Sequence, residues 1–401
     1  MKYIVLLGDG MADYPVPELN NKTPLEVANT PTFDKLAQLG EVGLVQTVPA
    51  GMAPGSDVAN LAVMGFDAKA CYTGRSPLEA VSMGIPLDAN DVTYRCNLVT
   101  LDDAADINDA TILDHSSGEI TTEEARILVE DLVKHLDWKG AELHAGVSYR
   151  HCLVIRDGKT GAILTPPHDV TGKKIKEHLP QGENADLLKD WMQASRAYLE
   201  NHPINIARKE KGLNPANCCW FWGEGTRPKL ERFEERYHLN GGVVSAVDLL
   251  KGIGLSAGLL APDVEGATGT LNTNYQGKID AALDILEEND FVYIHFEGPD
   301  ECGHQGNVQE KILSIERLDE LALKPLMKAL DERNEMYHIL LVPDHATPIV
   351  KRTHTSDPIP FVIYRKEKEV GPHAEAYDEN HAAATGLKVE EGHQLMSMLL
   401  K

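Results

Sequence analysis

The chain has 401 residues and a net charge of −24, from 38 Lys+Arg against 62 Asp+Glu, with 42% hydrophobic and 25% charged residues. That balance belongs to a folded globular protein of two or three domains rather than a disordered chain, and its acidity disfavours nucleic acid or an anionic membrane as a partner. No stretch approaches the ~18 apolar residues of a membrane helix, and the five-residue apolar run before Gly8 is too short for a signal peptide. The six cysteines, at 71, 96, 152, 218, 219 and 302, form no CxxC pair and fit reduced thiols in a cytoplasmic protein.

Tyr3–Leu7, an apolar run ended by Gly8, predicts a buried strand. Thr30–Leu39 reads as a helix with Thr30 at its N-cap and Gly40 past its end, and Gly43–Val48 as a strand. Asp57–Met64 reads as a short helix with Ser56 at its N-terminus. Thr121-Thr122-Glu123-Glu124 opens an amphipathic helix to Leu136, with Glu124 three residues after Thr121. Ala141–Ala145 and His151–Arg156 follow as strands, and His151–Pro167 looks like two strands around an Asp157-Gly158 turn. Cys218–Trp222 reads as a strand ending at Gly223-Glu224-Gly225, Val243–Val247 as a strand, and Asp248–Lys251 as a helix stopped by Gly252-Ile253-Gly254. Then come helix Gln276–Glu288, strand Phe291–Phe296, helix Gln309–Leu330, strands His338–Val342 and Phe361–Tyr364, and helix His393–Leu400. Such alternation predicts an α/β fold, a mostly parallel sheet with helices on both faces. The middle section predicts a smaller inserted βα domain at 96–190, leaving 1–95 and 191–401 as the main domain.

Three clusters follow strand-like runs: Gly8-Asp9-Gly10, Gly298-Pro299-Asp300-Glu301-Cys302-Gly303-His304 and Pro343-Asp344-His345. Thr353-His354-Thr355 lies just beyond the third. Ligands of an open α/β sheet bind outside the carboxyl ends of its strands, so these side chains are expected to converge. Their oxygen and nitrogen donors suit Mn²⁺, Zn²⁺ or Mg²⁺ and suffice for two ions. Taken singly, each Asp could be a turn or cap residue, and Asp300 with His304 a helical i,i+4 pair. Three such clusters after strands, two of them carrying His, favour metal. Ser56 is the candidate nucleophile, because a helix N-terminus favours a phosphate or an alkoxide. Its bland alternative is a simple N-cap. There is no GxxxxGK[ST] loop, and Gly252-Ile253-Gly254 lacks the GxGxxG pattern.

Leu7-Gly8-Asp9-Gly10-Met11-Ala12-Asp13, Pro54-Gly55-Ser56-Asp57, Tyr72-Thr73-Gly74-Arg75, Pro299-Asp300 with His304, Pro343-Asp344-His345 and His354-Thr355 together resemble the alkaline-phosphatase superfamily. More closely, they resemble its archaeal-type 2,3-bisphosphoglycerate-independent phosphoglycerate mutases, whose bacterial members are also described as proposed homoserine kinases. The likeness spans nearly the whole chain, through Arg95-Cys96-Asn97-Leu98, Tyr149-Arg150-His151, Pro167-His168-Asp169, Trp222-Gly223-Glu224-Gly225 and Thr273-Asn274-Tyr275-Gln276-Gly277-Lys278.

The resemblance implies an alkaline-phosphatase-like main domain with two divalent ions, Mn²⁺ first and Zn²⁺, Mg²⁺ or Co²⁺ as alternatives. Asp300, His304 and His354 would hold one ion, and Asp9, Ser56, Asp344 and His345 the other. It further implies interconversion of 3-phosphoglycerate and 2-phosphoglycerate through a phosphoserine at Ser56, with the inserted domain as a lid. The anionic substrate needs further cations, for which Arg75, Arg95, Arg150, His151, His168, Arg227 and Lys278 are candidates, each with a surface or salt-bridge role as its alternative. Asp169 could position the glycerate hydroxyls or cap the turn after Pro166-Pro167. The competing functions are a homoserine kinase-like phosphotransferase, a metal-dependent phosphatase and a catalytically silent metal-binding protein. A small phosphorylated substrate is the expected partner, and a homo-oligomer is compatible with the sequence.

Overall fold

The computed structural model describes all 401 residues, Met1–Lys401. They form two compact units, Met1–Tyr72 with Lys229–Lys401, and Thr73–Pro228. The second unit is wider at both ends than the 96–190 read from the sequence. Its central strand Val92–Leu101 pairs along one edge with Cys218–Thr226, and the helix Ser76–Ser82 packs on both of these strands.

The first unit is built on a seven-stranded sheet in the order Gly241–Val244, Phe291–Phe296, Lys2–Gly8, Tyr337–Val342, Ile359–Arg365, Glu41–Val45, Lys388–Val389. Ile359–Arg365 runs antiparallel to both neighbours, and every other adjacent pair is parallel. Successive strand residues face opposite sides. Ile4, Leu6, Val292 and Ile294 join a core with Phe33 and Leu36, Ile279 and Leu286, and Leu318, Leu326 and Leu330. The intervening Val5, Leu7 and Tyr293 are buried as well. On their side of the sheet the Tyr293 hydroxyl reaches Asn60, in the helix Ser56–Val63. The apolar runs are continuous because both faces are covered.

Two expectations in this unit change. The helix Asp248–Ser256 runs straight through Gly252 and Gly254. A Cβ on Gly254 would fall 2.5 Å from Val243 Cγ2, so this glycine serves close helix–strand packing rather than a helix stop. The helix expected at Gln309–Leu330 is Val308–Arg317, a π-helical stretch Leu318–Leu323, and Lys324–Glu332. Pro325 has no N–H to donate to the preceding turn, which accounts for the wider turn there.

The second unit has an antiparallel sheet in which Val92–Leu101 is flanked by Cys218–Thr226 on one side and by Arg150–Ile155 and Ile112–Asp114 on the other. Glu142–His144 pairs with Arg150–Ile155. The helices Thr122–His135 and Ala185–Leu199 bury Leu128, Leu132, Leu188 and Trp191 against it. Thr121 Oγ1 accepts from the Glu124 N–H at 3.3 Å, as the capping pattern predicts. The expected hairpin around Asp157-Gly158 does not form, because Arg150–Ile155 is paired along both edges; Ala162–Ile163 instead pairs with Gln181–Gly182. The strand beginning at Cys218 does not end at Gly223. That residue has φ +64°, and the register shifts beside it, a bulge that lets pairing resume at Gly225. All six cysteines are free and buried, and no helix is long and apolar enough to cross a membrane.

Candidate active site

Three parallel strands, Lys2–Gly8, Phe291–Phe296 and Tyr337–Val342, end beside one another and deliver Asp9, Asp300 and Asp344 to one edge of the sheet. The chain must turn sharply after Asp9. Gly10 has φ +60°, and a Cβ there would fall 2.6 Å from Asp300 Oδ1 and 2.5 Å from Thr347 Oγ1. Only glycine permits that approach. Gly55 is the N-cap of the helix Ser56–Val63, and no side chain makes the capping hydrogen bond. The Ser56 hydroxyl lies instead 3.2 Å from His345 Nε2, so the N-cap alternative for Ser56 falls away.

The remaining distances join one cluster. His345 Nε2 is 3.7 Å from Asp9 Oδ1 and 3.3 Å from Asp344 Oδ2. Asp300 Oδ2 is 3.2 Å from His304 Nε2, its Oδ1 is 3.4 Å from His354 Nε2, and the two imidazole nitrogens are 3.0 Å apart. Thr347 Oγ1 donates to Asp300 Oδ1 and lies 3.3 Å from His345 Nδ1. The hydroxyl has one proton and gives it to the carboxylate, so it accepts from His345 Nδ1–H. The lone pair of His345 Nε2 is thereby turned toward Ser56 and Asp9.

Asp9 is the telling residue. Its Oδ2 accepts from His295 Nε2 at 2.8 Å, while His295 Nδ1 is held by Ser245 Oγ at 3.0 Å. Its Oδ1 is buried with no hydrogen-bond partner. Burial and the carboxylates of Asp344, Asp300 and Glu297 push the Asp9 carboxyl far above the ordinary range. Burial alone would raise Asp300 too, but the imidazoles of His304 and His354 hold it well below. Burial lowers His345 and takes His295 down to about 3. For His304, the burial effect is outweighed by Asp300, which lifts it to about 9. A buried carboxylate oxygen with no donor, among further carboxylates, calls for a cation. The donor atoms of Asp300, His304 and His354, and those of Asp9, Asp300 and His345, each lie within 4.8 Å of one another. This mixture of carboxylate and imidazole donors fits divalent metal ions.

Supporting residues escaped the sequence reading. Asn60 Nδ2 donates to Ser56 O at 2.8 Å and to Asp344 Oδ2 at 2.9 Å. Its signal was a lone amide one turn after Ser56, among residues that are otherwise apolar from Val58 to Val63. Lys278, expected to touch substrate, is fully buried. Its ammonium donates to His295 O at 3.1 Å and stands 4.6 Å from the Phe296 ring centre. It therefore backs His295 from behind, and desolvation takes it down to about 8.

The second unit gathers cations. Arg75 Nε and Arg95 Nη1 both donate to Glu79 Oε1, at 2.9 and 2.8 Å. Arg95 lies 4.9 Å over the Trp222 ring and leaves Nε buried without a partner. Burial would raise Glu79, but Arg95, Arg75 and Arg150 together hold it low. His151 accepts from Gly146 N–H at Nδ1, 3.1 Å, and its Nε2 is buried with no partner. Desolvation, with Arg150 and Arg95, drops it to about 3. The exposed His168 packs 5.4 Å from Trp222 and 3.6 Å from Asp169. Arg150 is exposed over Tyr149, whereas Arg227 is exposed and donates to Leu87 O at 3.2 Å. Three guanidiniums around one carboxylate leave the group net positive, a charge balance that suits an anion.

A family model described as 2,3-bisphosphoglycerate-independent phosphoglycerate mutase matches residues 37–205. Another, described as type I phosphodiesterase / nucleotide pyrophosphatase, matches residues 169–394. A Geobacter sulfurreducens protein named a probable 2,3-bisphosphoglycerate-independent phosphoglycerate mutase is 49% identical over 400 residues, covering 100% of each chain. A Methanosarcina barkeri protein named a 2,3-bisphosphoglycerate-independent phosphoglycerate mutase is 46% identical over 402 residues, again covering 100% of each. A solved structure of a Pyrococcus horikoshii protein is similar at a TM-score of 0.80 and 30% identity, covering 100% of this chain and 96% of that one.

Proposed function

Because the chain belongs to the 2,3-bisphosphoglycerate-independent phosphoglycerate mutase family, we propose that it interconverts 3-phosphoglycerate and 2-phosphoglycerate by passing the phosphoryl group through Ser56. One observation carries the reading: Ser56 Oγ opens a helix 3.2 Å from His345 Nε2, beside an acidic cluster whose Asp9 Oδ1 is buried without a donor. Asp300, His304 and His354 would hold one divalent ion and Asp9, Ser56, Asp344 and His345 the other, with Mn²⁺ preferred to Zn²⁺, Mg²⁺ or Co²⁺. Ions bound there would favour the seryl alkoxide and neutralise phosphoryl charge.

Ser56 Oγ bonds to phosphorus as the bond from phosphorus to the glycerate O3 breaks, and O3 takes the proton that the serine gives up. The glycerate then offers its O2 hydroxyl. The new P–O bond forms as the P–Oγ bond breaks, and the serine recovers a proton. The helix N-terminus at Ser56 turns its backbone N–H groups toward the phosphoryl oxygens. Arg75, Arg95 and Arg150 receive the carboxylate, with His151 and His168 beside them and Asp169 on a hydroxyl. The second unit acts as the lid that keeps water from the phosphoserine. We place the enzyme in the cytoplasm, in keeping with its six free thiols.

The test is turnover of 3-phosphoglycerate with Mn²⁺, coupled to enolase, run beside ATP with homoserine. Mutase turnover that Ser56→Ala lowers by about 10³-fold or more supports the proposal. Phosphorylation of homoserine with no isomerisation of phosphoglycerate would overturn it.

A further inference from the structure

A serine at the first position of a helix sits where the intrahelical ladder constrains least, so the aim of its Oγ must be set from outside the backbone. Asn60, one turn on, is fully buried. Its Nδ2 donates to Ser56 O at 2.8 Å and to Asp344 Oδ2 at 2.9 Å, and its Oδ1 accepts from the Tyr293 hydroxyl at 2.5 Å. Both partners of Nδ2 are acceptors only, so a flipped amide would set Oδ1 against a carbonyl and a carboxylate. With the amide so oriented, Oδ1 is left to accept the phenolic proton of the fully buried Tyr293, which holds the amide in place from its other side. Asp344 is then held at both oxygens, because its Oδ1 accepts from the N–H groups of Gly10 and His345 at 3.1 and 2.9 Å. One amide thus ties the residue bearing the nucleophile to the Asp344 carboxylate. The phenol that orients it stands on the same strand whose end leads to Asp300.

We infer that Tyr293 and Asn60 form a positioning relay for phosphoryl transfer: the phenol fixes the amide, and the amide fixes Ser56 relative to Asp344. The relay rests on the reading of Ser56 as nucleophile and adds two positioning residues to it. Neither touches the reacting atoms. Their loss should therefore lower turnover without loosening substrate binding, and should weaken metal binding through Asp344. Side chains that orient metal ligands typically contribute about 10–100-fold in metal affinity or activity.

The experiment uses the full chain in three variants, Tyr293→Phe, Asn60→Ala and Ser56→Ala, assayed for kcat and KM with 3-phosphoglycerate, for Mn²⁺ affinity by calorimetry and for thermal melting. Tyr293→Phe removes one hydroxyl and is expected to lower kcat about tenfold with KM within about twofold, and to weaken Mn²⁺ binding several-fold; Asn60→Ala should lower kcat about a hundredfold. Wild-type kcat and Mn²⁺ affinity in Tyr293→Phe, with Ser56→Ala inactive, would overturn the relay and leave the nucleophile standing. Activity in Ser56→Ala would instead overturn the reading beneath it. A lowered melting temperature with kcat intact would reduce both residues to packing and also refute the relay. Should Asn60→Ala fail to fold, Tyr293→Phe decides alone.

Discussion

Lys311→Met tests how the two loops that carry the acidic cluster are held together. Lys311 is fully buried, and its ammonium donates to Asp13 Oδ2 at 2.7 Å, Thr347 O at 2.9 Å and Ala12 O at 3.3 Å. One side chain thereby pins the segment after Asp9 to the segment after His345. Methionine preserves much of the stem and removes the charge. Deleting one partner of a buried ion pair costs about 3–5 kcal/mol. The Asp13 carboxylate keeps the N–H groups of Tyr14 at 2.8 Å and Ile349 at 3.2 Å, which sets its share near the lower end. Two buried carbonyls that lose a donor add about 1 kcal/mol or more, so the expected loss is about 4 kcal/mol. In a domain of this size that is about 10 °C in Tm, read by calorimetry. The double variant Lys311→Met with Asp13→Leu should recover part of the loss, because no buried charge is then left uncompensated. A single variant melting within about 2 °C of wild type would refute the argument.

Burial raises the Glu379 carboxyl to about 7, against hydrogen bonds from Thr23 and the Asp13 N–H. A carboxyl raised on folding stabilises most below its unfolded value of about 4.3 and loses that contribution as pH rises through 7. Glu379→Gln should therefore flatten the fall in Tm between about pH 5 and pH 8, and an unchanged slope would refute the assignment. Gly254→Ala should lower Tm although alanine is the better helix former by about 1 kcal/mol, since its Cβ would stand 2.5 Å from Val243 Cγ2; a stabilised variant would show that the strand can give way. Chelation should abolish mutase turnover and Mn²⁺ restore it, with full activity in metal-free protein as the contrary result. Arg150→Ala should depress isomerisation and raise the ratio of phosphate release to it, and a kinetically silent variant would remove Arg150 from the proposed carboxylate site.

The sheet and the acidic edge were legible because they follow from rules that act locally. Phe291–Phe296 and Tyr3–Leu7 are apolar runs that break off just before an acidic residue cluster, and where such strands run parallel the residues just past them gather at one sheet edge. What holds those residues in place was not legible, since it lies inside the runs. Tyr293 and His295 stand in Phe291–Phe296, Asn60 stands between Ala59 and Leu61, and Lys311 falls in an amphipathic helix. Hydrophobic periodicity registers such positions as strand or helix and is silent on which polar group they meet. Lys278 shows the converse error. A lysine in a stretch that carries the family likeness invites a substrate contact, yet the helix Tyr275–Glu288 turns it inward beneath His295. The glycines were misread for a related reason: a helix stop and a close approach both demand a missing Cβ, and only the neighbouring Val243 tells them apart.

The charge distribution constrains the proposed chemistry further. A protein of net charge −24 repels a phosphorylated acid over most of its surface, so productive binding needs local positive potential. The first unit brings Asp9, Asp300, Asp344 and Glu297 close enough to raise Asp9, which makes that edge hostile to an anion until cations are held there. The second unit supplies the opposite arrangement, with Arg75, Arg95 and Arg150 around the single carboxylate of Glu79. In the proposed reaction the phosphoryl end of the substrate would depend on bound metal and the carboxylate end on the guanidiniums. The two dependences separate experimentally: Mn²⁺ depletion should act on turnover and phosphate recognition together, whereas loss of Arg95 or Arg150 should leave Mn²⁺ affinity untouched and raise KM. If guanidinium variants weakened Mn²⁺ binding as strongly as Asp300→Ala, the division of charge between the two units would be wrong.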